Sequence, residues 1–268
     1  MKLSIITINY NNATGLEKTI QSVINQTFTD YEYIIIDGGS TDGSLDVIKK
    51  YADHITAWVS EPDKGIYNAM NKGTQMATGE YLNYMNSGDA FVDNNVLKDI
   101  TSLNSEADIV TGCHQPNGLR NIGKDGITML QLYKWAIDHQ ASFINRNLCL
   151  RHPYDEKYKI VSDWKFFIEC LVFDNCTFQF TEREVVNVEK GGISESAHDL
   201  GTTERKMALQ ELFPPRVLQD YERFASADSP ILQLTPELNK TVGIQNVVYK
   251  FAELLLRIKK CFNVMLKI

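Results

Sequence analysis

Four short apolar runs between Leu3 and Asp89, each ending in a polar loop and separated by amphipathic stretches, constrain this chain more than any other feature. Leu3–Ile8, Tyr33–Ile36, Ile55–Val59 and Tyr81–Met85 read as strands. Leu16, Ile20, Val23 and Ile24 share one helical face, behind a capping box of Thr14 with Glu17 three residues on. Leu45–Tyr51 and Ile66–Ala77 read as the second and third helices, the latter with Ile66, Met70 and Ala77 near one face. Such alternation predicts an α/β fold with a mostly parallel, doubly wound sheet and right-handed crossovers. Ligands of such sheets sit beyond the carboxyl ends of the strands. The loops Asn9–Asn12, Asp37–Asp42, Glu61–Lys64 and Asn86–Asp89 all fall there.

Beyond this region the pattern is mixed. Ile109–Cys113 reads as a strand, and Asp163–Phe173 as a helix with Trp164, Phe167, Ile168 and Leu171 on its apolar face. Pro214-Pro215 marks a break, and Ser226–Pro236 a polar link. The last segment carries Val247, Phe251, Leu254, Ile258, Cys261, Met265 and Ile268 at helical spacing. It holds Lys250, Arg257, Lys259, Lys260 and Lys267 against one acid, Glu253. An amphipathic basic helix on an acidic body suits an anionic membrane surface, a packing seam or a partner helix. We therefore expect a main domain over 1–225 and a linker plus basic helix over 226–268.

The net charge of −7 excludes a general nucleic-acid binder. Five cysteines, an odd number with no C-x-x-C pair, argue against a disulfide framework and fit a reducing cytoplasm. Leu3–Ile8 is too short for a signal peptide, and no apolar run is long enough to span a bilayer.

Several residues could carry chemistry. Asp37 ends a strand before Gly38 and Gly39, where a carboxylate can accept from a nucleobase or ribose and the backbone can approach closely. It can equally shape a turn with Ser40 and Asp42. Gly38 to Gly43 has phosphate-loop spacing, but Ser44 follows where lysine is required, and no G-x-G-x-x-G occurs. Asp89 is a lone strand-end carboxylate after Asn86-Ser87-Gly88. Asp163 stands where a helix should start, beside Ser162, a natural cap.

The stretch Glu61-Pro62-Asp63-Lys64-Gly65-Ile66-Tyr67-Asn68-Ala69-Met70-Asn71-Lys72-Gly73, with Ser4-Ile5-Ile6-Thr7-Ile8-Asn9-Tyr10-Asn11-Asn12 and Asn86-Ser87-Gly88-Asp89, resembles the family 2 glycosyltransferases of GT-A fold. The resemblance covers residues 3 to about 90 and, more loosely, 135 to about 200, through His139-Gln140, Ser162-Asp163 and Gly191-Gly192-Ile193-Ser194. It implies a nucleotide-sugar half over 1–105 and an acceptor half over 106–225. It implies that Thr7, Asn9, Asp37, Gly38, Asp63, Lys64 and Ser87 contact a nucleotide diphosphate-sugar, UDP-linked by expectation. Asp89, with His198, would hold Mg²⁺ or Mn²⁺ as what remains of a D-x-D-like motif whose first acid is replaced by Ser87 or Gly88. Asp163 would be the base for the acceptor hydroxyl, with His139 and Trp164 lining the acceptor or diphosphate site. Asp89 and Asp163 should flank one gap without touching. The implied reaction is inverting transfer to a glycan or lipid-linked acceptor, as in bacterial surface polysaccharide synthesis, at the inner face of the cytoplasmic membrane. A sugar nucleotidyltransferase and a non-catalytic sugar-nucleotide-binding scaffold are the alternatives. The first lacks its usual glycine-rich basic loop after the first strand; the second would account for the missing motif acids.

Overall fold

The computed structural model describes residues 2–115, 126–189, 191–192, 197–226 and 250–251. Its first strands, β1 (Leu3–Asn9), β2 (Tyr31–Asp37), β3 (Ala57–Ser60) and β4 (Tyr81–Tyr84), alternate with α1 (Ala13–Ile24), α2 (Ser44–Lys50) and α3 (Ile66–Met76). The strands pair in parallel in the order β3-β2-β1-β4. Register sets Asn9 beside Asp37 and Asp37 beside Ser60, so three strand ends reach one edge.

After β4 the direction of pairing changes. β5 (Ala90–Phe91) is followed by α4 (Val96–Ser102) and β6 (Ile109–Gln115), then α5 (Met129–Lys134) and β7 (Ser142–Asn145). β7 runs antiparallel to both β4 and β6. After α6 (Arg146–Arg151) and α7 (Ser162–Ile168), β8 (Phe178–Asn187) lies parallel to β6 and antiparallel to β5. The result is one eight-stranded sheet, β3-β2-β1-β4-β7-β6-β8-β5. Because β5 pairs with β8, a segment from before residue 105 is stitched to one from long after it.

β1 and β2 are apolar on both faces because helices cover both. Ile6, Ile8, Ile34 and Ile36 face a core shared with Met70 of α3 and Phe167 of α7. Leu3, Ile5, Tyr33 and Ile35 face the other core, with Leu16 and Ile20 of α1 and Ile48 of α2. Gly73 lets α3 settle on β1, since a Cβ there would lie 2.5 Å from Ile6 Cγ2. Gly65, by contrast, has open space around it and takes a positive φ of 121° before α3.

Three local expectations change. α1 is capped by Asn12, whose Oδ1 accepts from Gly15 N at 3.0 Å, not by Thr14. Asn11 takes a left-handed φ of 49°, which turns the chain one residue early, and Glu17 pairs with Lys50 instead. The helix expected over Asp163–Phe173 is α-helical only to Ile168 and continues as a π-helical turn over Glu169–Phe173. Ser162 does not cap it, because its hydroxyl accepts from Asp155 N at 2.6 Å.

α8 (His198–Leu212) ends the first of two compact units, Met1–Pro215 and Arg216–Ile268. α9 (Pro215–Ser226) starts at the expected proline break, with proline at its first position. The polar link after Ser226 and the basic helix lie outside the described residues, Lys250 and Phe251 excepted. Among the described residues no helix is long and apolar enough to cross a membrane.

Candidate active site

Asp37 is the hub of the first two strand ends. It is 0% exposed, and its Oδ1 accepts from Asn9 Nδ2 (2.7 Å) and Ser40 Oγ (2.6 Å). Its Oδ2 accepts from Ser40 N (3.0 Å) and Ser60 Oγ (2.6 Å). Burial pushes this carboxyl up, but the donors of Ser40, Ser60 and Asn9 outweigh it and hold it below the usual carboxylate range. A carboxylate offers about four acceptor positions, and here protein donors fill them. Asp37 and Asn9 thus tie the ends of β1, β2 and β3 together. A Cβ on Gly38 would lie 2.6 Å from Asp63 Oδ2 and 3.2 Å from the ring of Tyr10, which is 66% exposed. Asp63 Oδ1 accepts from Gly65 N (2.9 Å), and Lys64 is exposed beside it. Thr7 lies below the strand ends, buried and bonded to the Tyr33 hydroxyl at 3.0 Å, because strand alternation turns it into the core.

The loops are tied to one another. Asn11 N donates to Ser40 Oγ (2.7 Å), and Thr41 N to Asn11 Oδ1 (2.8 Å). Asn12 Nδ2 reaches both Ser87 O (3.2 Å) and Glu189 Oε2 (3.3 Å). Lys18 Nζ donates to Gly88 O (2.6 Å), and Thr19 Oγ1 to Asp89 O (2.6 Å).

Asp89 is 4% exposed, and its Oδ1 accepts from Glu189 N (2.8 Å). Burial raises its carboxyl above the usual range, with the charge of Glu189 in the same sense; Glu189 N, His139 and Gln140 offset only part. Gly88 has φ 104°, and a Cβ there would sit 1.8 Å from Glu189 Oε2. The Glu189 carboxylate, just after β8, therefore occupies the space that a side chain at residue 88 would take. His198 is exposed at the first turn of α8, and among the described residues no contact joins it to Asp89.

Asp163 is held from three sides. Its Oδ2 lies 2.8 Å from His139 Nδ1, and its Oδ1 accepts from Trp164 N and from the Tyr67 hydroxyl, both at 2.9 Å. Burial opposes its charge, but His139, Tyr67 and Trp164 N keep its carboxyl below the ordinary range. Burial likewise works against a charged His139, yet Asp163, then Asp89 and Asp138, raise the imidazole above its usual value. His139 Nε2 lies 3.3 Å from Asn86 Nδ2. His139 thus stands between the two acids, bonded to one and within the field of the other. Trp164, expected at the acceptor surface, is 2% exposed, donates from Nε1 to Leu132 O (2.6 Å) and lies under the Arg205 guanidinium. A ring so covered is a floor and cannot stack on a sugar.

Among the described residues no three His, Cys, Asp or Glu side chains converge as a metal cage. The donor set of Asp89 and Glu189 still fits Mg²⁺ or Mn²⁺. Both are oxygen ligands, Asp89 carries a buried charge that a cation would stabilise, and such ions commonly take few protein carboxylates beside phosphate oxygens. Sequence reasoning did not single out Glu189, Asn86, Lys18 and Arg205, whose contacts are with partners remote in the chain. Tyr67 had a signal, since it lies inside the motif that begins at Glu61.

Residues 4–138 match the model of the family described as "Glycosyl transferase family 2". A PGL/p-HBAD biosynthesis glycosyltransferase of Mycobacterium bovis (strain BCG / Pasteur 1173P2) is 31% identical over 206 residues, covering 73% of this chain and 80% of the relative. Among solved structures, the mannosyltransferase PcManGT from Pyrobaculum calidifontis, in complex with GDP-Man and Mn²⁺, superposes with a TM-score of 0.64 at 16% identity. It covers 95% of this chain and 80% of that one. S. aureus TarS 1-349 with UDP-GlcNAc gives 0.61 at 19% identity, over 74% and 61%. The chain spans 38% of the longer TarS chain.

Proposed function

This chain belongs to glycosyl transferase family 2, and we propose that it moves a sugar from a UDP-linked donor to a hydroxyl of a glycan or lipid-linked acceptor, with inversion. The observation that carries this reading is the continuous tie from Asp37 through the Asn11–Asn12 and Ser87–Asp89 loops, and from Asn86 through His139 to Asp163. It gathers acids far apart in the chain along one sheet edge.

In this reading the acceptor oxygen bonds to the anomeric carbon as the bond from that carbon to the diphosphate breaks, and the electron pair leaves with the diphosphate. Asp163 takes the hydroxyl proton. His139, Tyr67 and Trp164 N hold that carboxylate ionised and aimed. Gly38, Asp63 and Tyr10 receive the base, and Lys18 steadies the Gly88 carbonyl beneath the diphosphate. Asp89 and Glu189 would hold the divalent cation, which supplies positive charge where the leaving group becomes more negative. PcManGT, solved with GDP-Man and Mn²⁺, and TarS, solved with UDP-GlcNAc, support a nucleotide-sugar donor.

The test is a thermal-shift screen of UDP-GlcNAc, UDP-glucose and GDP-mannose with and without Mn²⁺, followed by assay of nucleoside diphosphate release. A UDP-sugar at about 100 times its Kd should raise Tm by roughly 5–10 °C when Mn²⁺ is present. Pyrophosphate release from a nucleoside triphosphate, with no nucleoside diphosphate from any sugar nucleotide, would replace this reading with the nucleotidyltransferase. The basic C-terminal segment would dock the enzyme on the anionic inner face of the cytoplasmic membrane, for a lipid-linked acceptor of surface polysaccharide synthesis. The full chain should then sediment with vesicles containing anionic lipid, and removal of residues 246–268 should release it; equal partitioning of both refutes the docking.

A further inference from the structure

Arg205 is half-buried on α8, with its guanidinium 4.5 Å from the centroid of the Trp164 ring. Among the described residues it makes no hydrogen bond and no ion pair, and the charge acting on it is that of Asp163. Two other arginines of the same unit are paired with acids: Arg183 is held by Asp93 and Asp99, and Arg151 by Asp174. Two acids of its own helix are engaged elsewhere. Glu204 accepts from Lys159 N (2.8 Å) and Ile160 N (2.9 Å), and Glu211 pairs with Lys157.

A guanidinium presents five N–H donors in a planar fork and keeps its charge at any working pH. Partial burial costs it hydration, and stacking on an aromatic face returns only part of that. Among the described residues its hydrogen-bonding capacity remains unspent. An open fork of donors over a rigid floor, beside the carboxylate assigned as base, has the chemistry of an oxyanion site. It stands on α8, whereas Asp63, Asp89 and Glu189 stand on the loops after β3, β4 and β8, and Lys18 on α1. Trp164 links it to Asp163: that residue's backbone N–H binds the carboxylate and its ring carries Arg205.

We infer that Arg205 grips an oxyanion of the acceptor, so that the acceptor carries a phosphate group next to the hydroxyl that attacks. This rests on the reading of Asp163 as the base in the proposed transfer. Arg205 is a binding residue in this scheme and takes no part in proton movement. The same chemistry could come from the donor's diphosphate, and the experiment separates the two sources.

Isothermal titration of UDP, and of phenyl phosphate in the presence of UDP and Mn²⁺, is compared in the full chain, Arg205→Gln and Arg205→Lys. Phenyl phosphate should bind the native chain, lose about tenfold or more in affinity in Arg205→Gln, and lose less in Arg205→Lys, which keeps the charge without the fork. UDP affinity should stay within about twofold in all three. The inference is overturned if phenyl phosphate fails to bind the native chain, or binds Arg205→Gln equally well. It is overturned too if UDP weakens in step, which would assign Arg205 to the donor diphosphate. A native chain that binds no UDP and releases no nucleoside diphosphate would sink the transfer reading instead, while the phenyl phosphate comparison still decides Arg205.

Discussion

Asp163→Asn should lower kcat by about 10²–10⁴-fold and leave donor affinity nearly unchanged. The substitution keeps shape, so Tyr67 and Trp164 N retain an oxygen to donate to, but the amide cannot take a proton. Nucleoside diphosphate release gives kcat, and titration with UDP gives donor affinity. Turnover at the native rate would remove Asp163 from the chemistry. The same variant has a second signature in stability. The native Asp163 carboxyl is held below its ordinary range, with burial outweighed by His139, Tyr67 and Trp164 N. Its contribution is present above the unfolded value near pH 4 and is lost as pH falls through the folded value. His139 is shifted the other way, burial being outweighed by Asp163 and Asp89. Its contribution is complete below the unfolded value near pH 6.5 and is lost as pH rises through the raised folded value. The pair therefore stabilises most between roughly pH 4 and 6.5. Tm against pH should show a dome there that flattens in Asp163→Asn.

Asp89→Asn should act in opposite directions with and without metal. Burial raises the native carboxyl, so its charged form at neutral pH is a cost to the fold, aggravated by Glu189. Without metal, the variant should melt higher than the native chain at pH 7. With Mn²⁺ the order should reverse. Mn²⁺ affinity, read by the loss of the free-ion signal in electron paramagnetic resonance, should fall by at least the roughly 10–100-fold associated with losing an outer-shell partner. Turnover should fall by about 10²–10³-fold, the scale of one lost electrostatic contact at the leaving group. Glu189→Gln should weaken Mn²⁺ in the same direction, because its carboxylate occupies the place that a side chain at Gly88 would take. Native Mn²⁺ affinity in both variants would show that these acids are no cation site.

Much of this molecule was legible before any coordinate. The β-α-β alternation from Leu3 to Tyr84, the polar loops at the strand ends and the glycine that seats α3 follow from spacing and residue type. Where the reading slipped, a neighbour outcompeted a local rule. Thr14 and Glu17 form a good capping box, but Asn11 tolerates a left-handed turn and Asn12 caps first. Of the two roles open to Asp37, the turn former is visible, with Asn9, Ser40 and Ser60 converging on its oxygens. Trp164 could face a sugar or the core, and only the packing of α5 and α8 around it puts it in the core.

The sequence by itself determined the mostly parallel sheet, the edge at which its loops gather and the presence of Asp89 there, because strand period, helix period and turn chemistry are local properties of the chain; Asp163 was placed beside it only through the family resemblance. Only the tertiary structure decided that Glu189 stands beside Gly88, that His139 bridges towards Asp163 and that Arg205 covers Trp164. Those contacts join β4 to the end of β8, and α7 to α8, across long stretches of chain. They depend on strand order and helix placement, which are set by the packing of the whole core rather than by any one segment's own preferences.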